Sequence, residues 1–197
     1  MSCETVLHLS QDHAEIRNVL DAFEVFLDQF TGDAAPDRHE LWSLLDALSE
    51  GLLLRHEEKE ETVLLPQLNR MGLSWSDGTL AHVRSDHRHG RYLMRSLRQA
   101  AHQSCELSSE DRRHFLAMGR EWDNFMLHHM LLEESLLFPY LDANLSAIDD
   151  AEVVRHFCAI DEDFEKMADS EMLRVGKERF VEKFASVLPP EVRTNCA

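Results

Sequence analysis

The sequence has few of the residues that interrupt helices or cross-link a chain. It contains 7 glycines, 5 prolines and 4 cysteines in 197 residues. So few turn-forming residues argue against a fold of short strands and tight turns, and apolar residues recur at helical spacing nearly throughout. The cysteines show neither the paired spacing of a metal site nor the density of a disulfide framework. We therefore predict an all-α protein with free thiols in a reducing compartment.

Long apolar runs and an excess of basic residues are also missing. No stretch approaches the roughly 20 apolar residues that span a bilayer, and the first ten residues have no basic region typical of a signal peptide. The 37 acidic residues outweigh the 20 basic ones, for a net charge of −17. This charge disfavours nucleic acid and anionic membranes as partners. We expect a cytoplasmic protein, and its 12 histidines are the compositional exception.

Two histidine-containing segments are near copies of each other. Each has a histidine, a glutamate four residues later and a proline six residues after that. The two sets are His56, Glu60, Pro66 and His129, Glu133, Pro139, with numbers that differ by 73 throughout (129 − 56, 133 − 60, 139 − 66). Residues four apart lie on one face of a helix. Each segment therefore directs an imidazole and a carboxylate the same way, which predicts a pair of metal ligands.

Apolar residues in alternating steps of three and four mark four helices. The first is expected to follow Ser10 as its N-cap, and the second to run from about Glu40 to Leu65. Pro66 and Pro139 lie near the predicted ends of the second and fourth helices, because a missing N–H and a ring clash discourage continuation. Four such helices with short connections predict an antiparallel up-down-up-down four-helix bundle.

The pattern changes beyond Asn144. Two further amphipathic stripes, at 153–167 and 173–187, predict a C-terminal helical extension over 146–197, after a bundle domain of residues 1–145. An amphipathic helix must bury its apolar face. The sequence leaves two choices for this extension, the outside of the bundle or a second copy of the chain in a homodimer.

Six polar residues stand where the helical stripes call for apolar side chains. They are His13, His56, Glu60, His87, His129 and Glu133. Burying an unpartnered polar group costs about 1–3 kcal/mol, and a domain is stable by only roughly 5–15 kcal/mol. In an antiparallel bundle the starts of helices one and three meet the ends of helices two and four, so all six converge at one end of the core.

Four imidazoles and two carboxylates suit two first-row metal ions, with both glutamates bridging. This mixed ligation fits iron or manganese and fits zinc less well, and of these we predict non-haem di-iron. His82 and Asp86 are candidates for orienting an imidazole from outside the ligand set. Four glutamates that fall off the stripes are expected to be solvated or peripheral, namely Glu57, Glu58, Glu61 and Glu134.

The six residues, with the Leu-Leu-Pro and Leu-Phe-Pro segments that end at Pro66 and Pro139, resemble the hemerythrin-like (HHE cation-binding) domain over about residues 8–142. The resemblance implies an oxo- or hydroxo-bridged pair of iron ions that reacts with O₂ or related small molecules. It does not decide whether the chain is an enzyme. Oxygen-carrying hemerythrins have a fifth histidine, where Val83 stands here. The four-histidine, two-glutamate set is instead similar to the repair-of-iron-centres (RIC) proteins.

The leading hypothesis is a di-iron protein that handles O₂, NO or peroxide in a stress response or in iron-centre repair, together with a redox partner or an iron-acceptor protein. Val83 in place of a histidine leaves more coordination positions open, which favours redox turnover over reversible O₂ binding. One alternative is a reversible O₂ carrier or redox sensor. Another is a metal-poor helical module that binds a protein partner.

Overall fold

The computed structural model describes residues 2–29, 38–102, 109–167 and 170–185. These ranges contain six helices and no strand, so the all-α prediction is confirmed. Some helices comprise consecutive α- and π-helical segments. The helices are α1 (Glu4–Gln29), α2 (Arg38–Asp46, Ala47–Leu53, Leu54–Lys59, Glu60–Leu64, Leu65–Arg70), α3 (Gly78–His102), α4 (Ser109–Leu132, Glu133–Leu137, Phe138–Asn144), α5 (Ala147–Lys166) and α6 (Ser170–Ala185).

Helices α1 to α4 form the predicted four-helix bundle. Helices α1 and α3 each pack against α2 and α4. The C-terminal helices α5 and α6 pack on the outside of this bundle, against α1 and α2, where Phe157 and Phe180 are buried. Each stripe of the extension therefore buries at least one of its apolar side chains within the chain. None of the described helices has the length and apolar character needed to cross a membrane.

Helix α1 begins at Glu4 and not after Ser10, so the predicted N-cap is wrong. The backbone N–H groups of Glu4 and Thr5 donate to the two carboxylate oxygens of Asp150, at 3.0 and 2.9 Å. The first orphan N–H groups of α1 are thus satisfied by a carboxylate from α5. Such a cap comes from far along the chain, and local sequence carries no signal for it.

The helices that contain the two repeated segments continue past their prolines. Helix α2 runs on from Pro66 to Arg70, and α4 runs on from Pro139 to Asn144. The prediction that these helices end near the prolines is therefore wrong by about one turn. These extra turns add apolar side chains that follow the polar site residues along each helix.

A π-helical turn explains how each proline is tolerated. The turns are Glu60–Leu64 and Glu133–Leu137, and each starts at a glutamate of the candidate metal site. The N–H of Leu65 donates to the carbonyl of Glu60, and the N–H of Phe138 donates to that of Glu133, both five residues back. This wider turn relieves the carbonyl clash that a proline ring causes in an α-helix.

Two apolar clusters fill the bundle. Members of the larger include Phe23, Leu45, Leu97 and Trp122, and members of the smaller include Leu9, Leu64, Leu80 and Phe157. Along each of α1 to α4 the candidate site residues separate the two clusters. They form a polar layer between two dry layers, and not at one end of the core as predicted. The cause is the earlier start of α1 and the continuation of α2 and α4.

A buried carboxylate at Asp123 gives a stability prediction that does not depend on metal. This side chain is 6% exposed, and its Oδ1 has no hydrogen-bond partner among the described residues. Burial, with the nearby charges of Glu24 and Asp21, raises its pKa to about 7. A carboxylate with a raised folded-state pKa stabilises the fold only while protonated, so stability is lost as the pH rises from about 4 through about 7.

We expect Asp123→Asn to stabilise the metal-free protein at pH 8 by on the order of 2–4 kcal/mol, at about 1.4 kcal/mol for each pKa unit. The gain should fall toward zero at pH 4. Urea unfolding at the two pH values measures it, with Glu121→Gln, an exposed position on the same helix, as the control. A gain that does not change with pH would contradict a titrating Asp123.

Candidate metal centre

All six residues predicted to hold metal come together in the bundle. Each is at most 2% exposed. Their ligand atoms form two groups that share one glutamate, and within each group these atoms lie within 4.8 Å of one another. The first group is His13, His56 and Glu133, and the second is Glu60, His87, His129 and Glu133. We call the side with His13 and His56 the first half, and the side with His87 and His129 the second half.

Glu133 has one oxygen facing each half. Its Oε2 lies 3.1 Å from Nε2 of His13 and 3.9 Å from Nε2 of His56. Its Oε1 lies 3.1 Å from Nε2 of His129 and 4.0 Å from Nε2 of His87. A cation in either half would therefore have an oxygen of Glu133 beside it.

Glu60 faces both halves through a single oxygen. Its Oε2 lies 3.0 Å from Nε2 of His87 and 3.8 Å from Nε2 of His56. The Nε2 atoms of His13 and His56 are 3.2 Å apart. Ligand atoms roughly 2.0–2.2 Å from a first-row cation lie about 3.0 Å apart at octahedral angles and about 3.4 Å apart at tetrahedral ones. The short contacts of the site fall in this range.

The two buried glutamates have unmet bonding capacity that a cation would satisfy. Both carboxylate oxygens of Glu60 and both of Glu133 are without a hydrogen-bond partner among the described residues. A buried polar group without a partner costs free energy, and a buried carboxylate costs the most. The residues present therefore fit a pair of metal ions.

Two glutamates outside the ligand set fix the orientation of two imidazoles. Nδ1 of His13 donates to Oε1 of Glu134 at 2.8 Å, and Nδ1 of His87 donates to Oε1 of Glu61 at 2.9 Å. Because an ionised carboxylate can only accept, Nδ1 carries the proton, and in the neutral ring the lone pair of Nε2 faces the site. The prediction that Glu61 and Glu134 are solvated or peripheral is therefore wrong.

Arginines hold these outer glutamates in turn. Arg17 pairs with Glu134 at 2.7 Å, and Arg91 pairs with Glu61 at 2.9 Å. Arg91 also binds Glu57, which is buried and not solvated as predicted. Glu58 is exposed, in agreement with the sequence-based expectation.

Two aspartates lie behind the remaining imidazoles. Nδ1 of His56 is 3.5 Å from Oδ2 of Asp12, and Nδ1 of His129 is 3.5 Å from Oδ2 of Asp86. Asp86 thus lies near a site imidazole, as expected, but neither Nδ1 atom has a hydrogen-bond partner among the described residues. His82 contacts Asp86 at 3.5 Å, and no contact with a site imidazole is found for it among the described residues. Asp12 was missed.

The internal repeat could have identified six of these outer residues. Glu61 and Glu134 differ by 73, as the ligand pairs of α2 and α4 do, whereas Asp12 and Asp86 differ by 74 (86 − 12). Arg17 and Arg91 also differ by 74 (91 − 17). The two halves therefore repeat the ligands and also the groups that orient them.

Mutual contacts control the ionisation of the site. Burial lowers the pKa of His87, but the neighbouring carboxylates of Glu60 and Glu61 outweigh it and raise that pKa to about 10. Hydrogen bonding to His87 lowers the pKa of Glu61 to about 2. Burial raises the pKa of Glu133, but the neighbouring imidazoles, His129 first, hold it well below its usual range. In the absence of a cation, His87, Glu61 and Glu133 are therefore held toward their charged forms by their neighbours in the site.

We expect metal binding to release more than one proton per chain at pH 7. Despite burial, the pKa values of His13, His56 and His87 are raised by their carboxylate partners, and a ligand imidazole must be neutral. Metal affinity should therefore fall as the pH is lowered. Calorimetric titration of metal-free protein with Co²⁺ in two buffers of different ionisation enthalpy measures the proton count, and binding without proton release would contradict this charge state.

Comparison with known proteins adds the family. Residues 5–141 match the family model described as Hemerythrin HHE cation binding domain. No curated protein and no solved structure matches the chain. The matched segment covers more than half of the sequence and contains the six residues of the two halves. The chain therefore belongs to the hemerythrin HHE cation-binding domain family, and its helical bundle is a metal-binding domain.

Proposed function

We propose that this chain holds two iron ions and uses them to react with O₂, NO or peroxide in oxidative or nitrosative stress or in the repair of iron centres. The proposed ligands are His13, His56, Glu60, His87, His129 and Glu133. The observation that carries the proposal is the position of Glu133, with one unpartnered oxygen toward each pair of imidazoles.

The donor set supports iron more than other metals. Each half offers two imidazole nitrogens and shares carboxylate oxygens, a mixture that suits iron or manganese. Structural zinc sites are usually closed by four protein ligands around one ion. A glutamate shared by two neighbouring groups, and no cysteine among the described members of the groups, fit that pattern less well.

Residues around the site orient the ligand imidazoles and shield the site from bulk water. Glu134 and Glu61 hold the proton on Nδ1 of His13 and His87, so that Nε2 is directed to the interior. The apolar clusters on both sides exclude bulk water. Bound iron would supply the one-electron chemistry, and the apolar clusters control which small molecules reach the site.

Val83 supports a reactive centre over a pure carrier. It is fully buried, one turn before His87 on α3, and belongs to the apolar cluster on that side of the site. With Val83 instead of an imidazole, the centre has fewer protein ligands and more open positions for small molecules. Turnover also needs an electron donor or an iron acceptor, and we propose a redox partner or iron-acceptor protein for that role.

The test is anaerobic loading with ferrous iron followed by mixing with air-saturated buffer. We expect O₂ consumption and irreversible oxidation of iron, followed by EPR and optical spectra. We expect Val83→His to slow this oxidation, because an added imidazole would fill an open position, and Val83→Ile to serve as the apolar control. O₂ uptake that reverses under vacuum would favour a carrier or sensor. Well-folded protein with fewer than about one iron per chain after loading would favour a metal-poor interaction module.

A further inference from the structure

The two halves of the centre have the same outer carboxylates but differ in what lies behind them. Asp12 stands behind His56, and Asp86 stands behind His129, at the same distance of 3.5 Å. If the repeat were complete, the partners of the two aspartates would correspond as well. They do not.

Behind Asp12 lies a buried cation that α5 covers. Nζ of Lys59 is 3.0 Å from Oδ2 of Asp12 and 2.7 Å from Oδ1 of Asp161. The Lys59 side chain is 1% exposed and lies under the ring of Phe157, 5.8 Å from its centroid. Arg55 also contacts Asp12, at 3.2 Å, and Asp161, at 3.6 Å. An aspartate held by two cations, themselves held by α5, has little freedom to move away from His56.

Among the described residues, no buried lysine or arginine pairs with Asp86. The residues that correspond to Arg55 and Lys59 in the repeat are His128 and Leu132 (55 + 73 and 59 + 73). Among the described residues the ion pairs of Asp86 are with His129 and with His82, whose side chain is 56% exposed. The C-terminal helices pack on α1 and α2, away from this corner of the bundle.

We propose that the two ions are held unequally, tightly in the first half and exchangeably in the second, and that Lys59 and Asp161 are the positioning residues that make the difference. The inference rests on the proposed two-metal centre and deepens it. Residues that orient a ligand imidazole commonly change metal affinity by about 10- to 100-fold. The ion beside His87 and His129 is thus the one that leaves or exchanges first. An iron-acceptor protein would draw on that ion.

The experiment is anaerobic extraction of ferrous iron from the fully loaded chain by a coloured chelator. We expect two phases of equal amplitude, with rates that differ by about 10-fold or more. Asp161→Asn should speed the slow phase several-fold and leave the fast phase unchanged, because Lys59 keeps Asp12 as a partner and the fold is retained. Asp86→Asn should speed only the fast phase. Asp163→Asn, an 80% exposed position on the same helix, is the matched control.

A merely structural role for Asp161 would move both phases together, so the selectivity for one phase is the informative readout. Two irons that leave in a single phase would overturn the inference. So would Asp161→Asn with both rates unchanged, or Asp86→Asn acting on the slow phase. Well-folded protein that holds fewer than about one iron per chain after loading would overturn the proposed function itself, which keeps the two failures distinct. Thermal unfolding of the metal-free variants checks that each is folded.

Discussion

Replacing Glu133 with alanine should empty both halves of the centre, from about two ions per chain to fewer than about 0.5. Glu133 is the residue shared by the two candidate groups, and its two oxygens face opposite pairs of imidazoles. Without it, each pair of imidazoles loses a carboxylate oxygen at 3.1 Å, and Glu60 is left as the one buried carboxylate of the six-residue set. Metal analysis after anaerobic loading and desalting measures the loss.

Two comparison variants sharpen this result. Glu121→Ala, at an exposed position on the same helix, should keep about two ions. Glu60→Ala should lose the second-half ion more readily, because Oε2 of Glu60 lies nearer His87 than His56. Retention of two ions by Glu133→Ala would mean that Glu133 does not bridge.

Replacing Lys59 with methionine should destabilise even the metal-free protein, by about 3–5 kcal/mol. Lys59 is a buried cation between Asp12 and Asp161, and removing one partner of a buried ion pair leaves uncompensated charge behind. Arg55 lies 3.2 Å from Asp12 and still compensates part of its charge. We therefore expect the loss of unfolding free energy to be near the lower end of this range. The midpoint of urea unfolding of metal-free protein measures it.

Lys166→Met is the control for that measurement. Lys166 forms ion pairs on the same C-terminal extension, but its side chain is 67% exposed, so its loss should change stability by less than about 1 kcal/mol. If the two lysine variants unfold at the same urea concentration, the buried network around Lys59 contributes nothing to the fold.

The sequence was sufficient for the helical class and for bringing the six candidate residues together. Helical periodicity identifies a polar residue that occupies an apolar position of a stripe. His13 and Glu60 can be recognised for that reason alone. The four helical stripes with short connections then predicted an antiparallel bundle, in which the starts of helices one and three meet the ends of helices two and four.

The residues that orient the ligands could not be found from single-helix periodicity. Glu61 and Glu134 follow ligand glutamates directly, so they point off the stripe and look solvated. They contact imidazoles of neighbouring helices, His87 and His13, and a contact between helices leaves no mark on the period of either helix. Only the 73-residue repeat of these glutamates carries that signal.

Local rules also misjudged where helices begin and end. Pro66 should stop an α-helix, but a π-turn beginning at Glu60 accommodates it. The start of α1 depends on Asp150, a residue from a helix that packs on it much later in the chain. Because of both errors, the site was predicted at the end of the core. In the structure a further apolar layer lies beyond the site.

The most direct test is X-ray diffraction from crystals of iron-loaded protein, with data collected on both sides of the iron absorption edge. Two anomalous peaks per chain are expected, one between His13 and His56 and the other between His87 and His129, with Glu133 between the peaks. Crystals of folded protein with no anomalous peak at these positions, and with water among the same side chains, would contradict a two-ion centre.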